Sequence, residues 1–278
     1  MGWLKSLTYR RLLVAGIASG GIALGGYAYW EASNIEVTRV EIPLRHLPPD
    51  LDGLSVVQIS DVHYGMLHEN GRLSDIVRRV NDLSPDLVVI TGDLVDEAVS
   101  HMEEMAVPLA NLKSRLGVFG IMGNHEFFAG VYRVDRIMRQ AGIQVLRNEI
   151  KVLSGGLQVL GIDDPTYYRR TGVPLPDLEG LLKRLDTKKP SILLYHQPKY
   201  FEEVAAAGIG LQLSGHIHGP QLLPMISLVQ LFYPRFRGLY QMEDRYLYVN
   251  RGIGTGGPPM RLGSPPELVH IRLRSVKQ

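Results

Sequence analysis

Five short apolar runs in this chain each stop at residues able to ligate a metal ion, and that recurrence constrains the fold more than any other feature. Leu54–Ser60 leads into Asp61-Val62-His63, Leu87–Thr91 into Gly92-Asp93, and Val118–Met122 into Gly123-Asn124-His125-Glu126. Ile192–Tyr195 leads into His196, and Leu211–Leu213 is followed by Gly215-His216-Ile217-His218-Gly219. Apolar runs this short, rich in Val, Ile and Leu, read as buried strands, as does Gln158–Ile162. Arg72–Leu83, Val134–Ala141 and Leu178–Leu185 carry helical spacing instead, so strands alternate with helices and the class is α/β. In α/β sheets the crevice beyond the carboxyl ends of the strands gathers ligands, which brings segments far apart in sequence together. Side chains on extended backbone repeat with period two, so Asp61 and His63 can face the same way.

The chain has no cysteine among its 278 residues, so a metal site must be built from His, Asp, Glu or Asn. Five of the 9 histidines lie in the blocks above. His46, His68, His101 and His270 lie outside them and read as structural or surface residues. Asp96 and Glu126 flank candidate ligands and read either as partners that orient a histidine or as solvated carboxylates. Of 30 Lys and Arg, three precede the first long apolar run, which leaves 27 against 28 acidic residues in the remainder. That balance gives no electrostatic case for nucleic-acid binding.

Leu12 to Trp30 carries no charge, and as a helix it reaches roughly 28 Å, close to the hydrocarbon thickness of a bilayer. Lys5, Arg10 and Arg11 precede it, whereas Glu31, Glu36 and Glu41 follow, so the positive-inside rule puts the remaining chain on the extracytoplasmic side. Arg10-Arg11 before Leu12-Leu13-Val14 looks like a twin-arginine export signal, although Tyr9 stands where a small polar residue is usual. No good A-x-A cleavage site follows, which favours a retained anchor over a cleaved signal. Residues 1–31 are thus read as anchor or export signal, 32–53 as a linker with the first strand, and 54–278 as one domain. Pro43–Pro49, Arg251–Met260 and Gly263–Pro266 read as loops.

The ordered blocks D-x-H, G-D, G-N-H-[DE], H and G-H-x-H resemble the calcineurin-like metallophosphoesterases over about Val56 to Leu273. A lone D-x-H or G-D is usually turn chemistry; five separated blocks in order are a specific signal. The resemblance implies a β-sandwich flanked by helices, here preceded by one hydrophobic helix, and a site for two divalent ions. It assigns one metal to Asp61, His63, Asp93 and His218, and the second to Asp93, Asn124, His196 and His216. His125 would bind neither and would act on the scissile phosphate or its leaving group. The donor set is mostly imidazole with few carboxylates, which suits Mn, Fe or Zn better than Ca.

The tail Asn250-Arg251-Gly252-Ile253-Gly254-Thr255, with Gly257-Pro258-Pro259-Met260-Arg261, is similar to the membrane-associated branch of that family, whose members are phosphodiesterases. The resemblance implies hydrolysis of a membrane-associated phosphodiester, in some cases lipid-linked, by metal-activated water. The alternative is a UDP-2,3-diacylglucosamine pyrophosphatase of lipid A synthesis; a non-catalytic binding module on the same fold ranks below both, because no ligand is lost. Pro220 departs from the second glycine usual after Gly219. The apolar run Leu222–Tyr233 is either a buried loop or helix, or a surface that docks on lipid, with Arg235 and Arg237 beside it for headgroup phosphates. No protein partner can be inferred.

Overall fold

The computed structural model describes residues 2–65, 70–97 and 99–276, and within these the side chains of 2–9, Asn70, Tyr167 and Pro224 are not described. His68 lies outside the described residues. Helix α1 (Gly2–Ser33) leads the chain, and its stretch Arg10–Ser33 is long and apolar enough to cross a membrane. Residues 10–27 of α1 stay largely uncovered, whereas Ala28, Glu31 and Ala32 are buried against the domain. A core helix of a soluble domain would be covered along one face; α1 stands clear until its last turns.

Two six-stranded sheets follow. The first is ordered β1-β12-β2-β3-β4-β5, from Glu36–Leu44, Glu267–Ser275, Ser55–Ile59, Leu87–Ile90, Val118–Gly120 and Gln144–Val145. The second is ordered β10-β11-β9-β8-β7-β6, from Gly238–Met242, Arg245–Val249, Leu211–Ser214, Ser191–Tyr195, Gln158–Ile162 and Glu149–Val152. β2 to β5 are mutually parallel, as are β7, β8, β9 and β11, so the ends of both parallel sets can open on a shared seam. Period-two alternation gives each strand two apolar faces. Val56, Val89, Phe119, Ile192, Leu194 and Leu213 fill the space between the sheets.

On the outer face of the first sheet, Val57, Ile59, Val88 and Ile90 meet α2 (Asn70–Asp82), α3 (Ala106–Leu109) and α5 (Val131–Gln140). α4 (Asn124–Ala129) is parted from α5 by Gly130, whose φ of 104° breaks the helix. On the outer face of the second sheet, Leu160, Leu193 and Tyr195 meet α7 (Leu178–Lys183) and α8 (Phe201–Ala206). The short helices α6 (Pro165–Thr171) and α9 (Ile226–Phe232) complete the set. The result is the helix-flanked sandwich.

One expectation is corrected. Pro43, read as the start of a loop, belongs to β1, which pairs in parallel with β12 from Glu36↔Glu267 to Leu44↔Ser275. β1 is an edge strand, where a missing N–H is tolerated. Ile42 and Leu44 are fully buried between the sheets, a contribution of about 1.5–3 kcal/mol each. The connection from α1 into β1 is two residues, Asn34 and Ile35.

Candidate metal centre

All seven candidate ligands lie just beyond the carboxyl ends of parallel strands: Asp61 and His63 after β2, Asp93 after β3, Asn124 after β4, His196 after β8, and His216 and His218 after β9. Asp61, His63 and His218 form one group whose ligand atoms lie within 4.8 Å of one another, and Asp93, His196 and His216 form another. His63, Asp93 and His125 form a third group, so Asp93 belongs to two of them. Nε2 atoms of His63 and His218 are 3.0 Å apart, His196 Nε2 lies 3.1 Å from Asp93 Oδ2, and His216 Nδ1 lies 3.2 Å from His196 Nε2.

The backbone at these positions is unusual. Asp61, His63, Asp93, His216 and His218 all adopt positive φ, between 50° and 74°, a region non-glycine residues rarely occupy. Five such residues at one site show tertiary structure overriding local preference so that the side chains turn inward. Two motif glycines are required for the loops to meet: a Cβ on Gly123 would strike Asp93 Oδ1, and one on Gly215 would strike Asp61 Oδ2.

The electrostatics divide the donors: burial opposes protonation of His63 and His196, but Asp96 and Asp93 raise the first and Asp93 raises the second above the ordinary value. Burial opposes ionisation of Asp93, but the adjoining His196, His63 and His125 hold its carboxyl well below the usual range. Burial, and then His196, push His216 down to about 4, while burial, His63 and Arg261 push His218 well below its ordinary value. Both rings therefore keep free lone pairs. Asn124 Oδ1 is buried with no hydrogen-bond partner among the described residues. A buried carbonyl oxygen without a donor is costly, and a cation beside it would remove that cost. Asp61, His63 and His218 in one group, and Asp93, His196 and His216 in another, thus fit a site for two metal ions, with Asn124 Oδ1 as a further oxygen donor.

Surrounding residues fix these ligands. Asp96 Oδ1 lies 2.8 Å from His63 Nδ1, the orienting contact weighed from sequence. Glu126 is neither solvated nor bonded to a histidine: it is fully buried and accepts from the backbone N–H groups of Asp93, Leu94 and Gly123, clamping two ligand loops together. Burial, then the Asp93 charge, raise it to about 7. Sequence reasoning assigned no task to two further residues. Arg261 is fully buried and donates to the carbonyls of Gly252, Gly254 and Ser264, with Nη2 3.3 Å from His218 Nδ1. Tyr233 Oη lies 3.2 Å from His216 Nε2, which ties the end of the apolar run to a candidate ligand. Sequence spacing carries no signal for either contact.

His125 differs from the other histidines near Asp93. Its side chain is 25% exposed, against 1% for His63 and 0% for His196, and its ring stands edge-on to His63. Of the remaining histidines, His270 meets Ser55 Oγ at 2.7 Å and His101 meets Ser100 Oγ at 3.1 Å, while His46 is half-exposed, all outside the ligand groups. A cavity of about 640 Å³ under α6 and α7, lined by Leu175, Leu178, Tyr195 and Tyr200, contains none of the seven ligands.

Residues 54–220 match the model of the calcineurin-like phosphoesterase family. The chain belongs to that family. It is 34% identical over 250 residues to an uncharacterized metallophosphoesterase of Aquifex aeolicus, covering 89% of this chain and 95% of that one. An uncharacterized metallophosphoesterase of Bacillus subtilis is 32% identical over 277 residues, covering 95% and 94%. A transmembrane protein with a metallophosphoesterase domain from Bos taurus is 36% identical over 255 residues, covering 86% of this chain but 57% of its own length. The chain thus spans nearly all of some relatives and little more than half of others. Among solved structures, TT1561 of Thermus thermophilus matches with a TM-score of 0.49 at 13% identity, over 73% of this chain and 91% of that one, a likeness of fold alone. Members of the family are metal-dependent phosphoester hydrolases, and the residue groups here are those of a dimetal centre.

Proposed function

We propose that this chain is a phosphodiesterase that hydrolyses a phosphodiester at a membrane surface. The observation that carries the reading is the convergence of six candidate ligands from four loops, with Asp93 shared between groups and Asn124 Oδ1 buried without a partner among the described residues. When bound, two divalent ions would polarise a phosphoryl oxygen and supply an activated water. The chain's own residues do the rest. Asp96 holds the His63 ring, Glu126 holds the Asp93 and Gly123 loops, and Arg261 holds the loop behind His218. His125, a partly exposed histidine beside Asp93, donates a proton to the departing alkoxide as the P–O bond breaks and the water oxygen bonds to phosphorus. A non-catalytic module would have no need of the complete set.

Two features support a substrate at the membrane. α1 stands clear of the domain, and it joins β1 through two residues, so the centre cannot move far from the bilayer. By the positive-inside rule, the basic residues before Leu12 support a domain on the extracytoplasmic side, reached by either twin-arginine or other export. UDP-linked substrates, made in the cytoplasm, would then be out of reach. The test is a hydrolysis screen of lipid and nucleotide phosphodiesters, UDP-2,3-diacylglucosamine included, with Mn, Zn and Mg in turn. Turnover of lipid or envelope diesters is expected; turnover of the UDP-linked compound alone would replace this reading. A C-terminal alkaline phosphatase fusion should be active in intact cells, and an inactive fusion beside an active cytoplasmic reporter would reverse the orientation.

A further inference from the structure

We infer that α9, with the turn before it, is a second membrane contact that lies in the headgroup region of the bilayer α1 enters. The inference rests on the membrane reading above and names the surface through which the centre meets lipid. The segment from Leu222 to Tyr233 has no charged residue. Val229 points inward, onto the cluster of Phe201, Ile217 and Leu247. Leu228, Leu231 and Phe232, spaced i, i+3 and i+4, share one side of α9 and are 51%, 78% and 71% exposed. Leu223 and Met225 extend the exposed apolar surface. An ordinary surface helix turns polar residues to water on that face; an in-plane membrane helix turns apolar ones to lipid.

The occupant is identified by what α9 is joined to. Leu223 N donates to Leu262 O and Leu262 N to Gln221 O, so the turn before α9 is bonded to the 260–264 loop. That loop also receives α1: Arg261 N donates to Ala28 O at 2.9 Å and Gly263 N to Glu31 Oε2 at 2.8 Å. Arg72 adds a bond to Ala32 O. The anchor and the apolar turn thus leave the domain from one rigid loop, itself pinned by buried Arg261. Arg235 is paired with Glu202, while Arg237 Nη1 reaches Gly263 O on the same loop, which holds its charge beside the turn. Apolar burial provides the contact. Through Tyr233 and His216 the same element reaches the candidate centre.

The absence of native cysteine makes the test direct on the full chain. Leu231→Cys and, as a control, Tyr132→Cys on α5, where the side chain is 82% exposed, each take one environment-sensitive fluorophore. Both proteins are reconstituted into phosphatidylethanolamine–phosphatidylglycerol vesicles with or without a lipid carrying a nitroxide near its headgroup. The label at 231 is expected to shift to the blue and to be quenched by the lipid nitroxide several-fold more than the label at 132, with iodide quenching reversed. Equal iodide quenching at both positions, without lipid quenching at 231, would overturn the inference. Protection at 231 from both quenchers would mean a protein partner, a second copy included, and would overturn it too. None of these readouts depends on turnover, so a failed hydrolysis screen and a failed membrane contact are told apart.

Discussion

The two sheets contribute unlike halves to the candidate centre. Loops of the first sheet supply Asp61, Asp93 and Asn124 with one imidazole, His63, whereas those of the second supply only imidazoles, His196, His216 and His218. The first half brings the carboxylates; in the second, His216 and His218 are held below their ordinary pKa values, while Asp93 raises His196 above its own. The halves are braced differently, the first by Asp96 on His63 and by Glu126 across two loops, the second by Arg261 beside His218 and by the Thr91 carbonyl at His196 Nδ1. A site built this way should depend on its charged half for holding metal at all and on its imidazole half for holding the second ion.

Asp93→Ala tests that division most severely, because Asp93 contacts both halves. Loss of both metals and of turnover on a nitrophenyl phosphodiester is expected, whereas His216→Ala should lose one ion of two. Metal content by mass spectrometry decides it. Equal stoichiometry in the two variants would show that the halves are not unlike in the way described.

His125→Ala separates chemistry from binding. Both ions should stay, and turnover should fall by about two to four orders of magnitude, the range for losing a general acid. Metal loss in this variant would make His125 a ligand, a role its place beside His63 and Asp93 leaves open to test.

Smaller again is the effect expected at Asp96. Removing a carboxylate that orients a ligating histidine costs roughly 10–100-fold in metal affinity. Asp96→Ala should show that loss, and Asp96→Asn should recover part of it, since an amide oxygen can still accept from His63 Nδ1. If alanine and asparagine bind metal alike, the contact is structural and the first half owes nothing to it.

What the sequence revealed follows from how local each feature is. Every candidate ligand was legible because a strand end and its loop are contiguous, and Gln158–Ile162 and Ser191–Tyr195 were read to the residue. The pairing of β1 with β12 joins Glu36 to Glu267, and nothing local announces it; Pro43 pointed the wrong way because the edge position that tolerates it is a tertiary fact. Glu126 was singled out, but its partners are backbone N–H groups, which leave no trace in side-chain identity. Arg261 sat in a quoted motif without a task, since its burial depends on carbonyls brought together by the fold.

The smallest expected effect lies in the imidazole half, at Tyr233. Its hydroxyl is 3.2 Å from His216 Nε2, the ring nitrogen turned away from the centre, while His216 Nδ1 faces His196. Lys199 Nζ stands 5.1 Å from the Tyr233 ring, so the ring stays packed when the hydroxyl is removed. Tyr233→Phe then deletes one partly buried hydrogen bond, about 1 kcal/mol or roughly five-fold in an equilibrium constant. If that bond orients His216, the loss appears as weaker retention of one of two ions during dialysis against a chelator, with the first ion unaffected. If it serves only to pack α9, metal retention is unchanged and the thermal midpoint alone falls. The support of the imidazole half would then come from Arg261 at His218 and from the Thr91 carbonyl at His196, with none from α9.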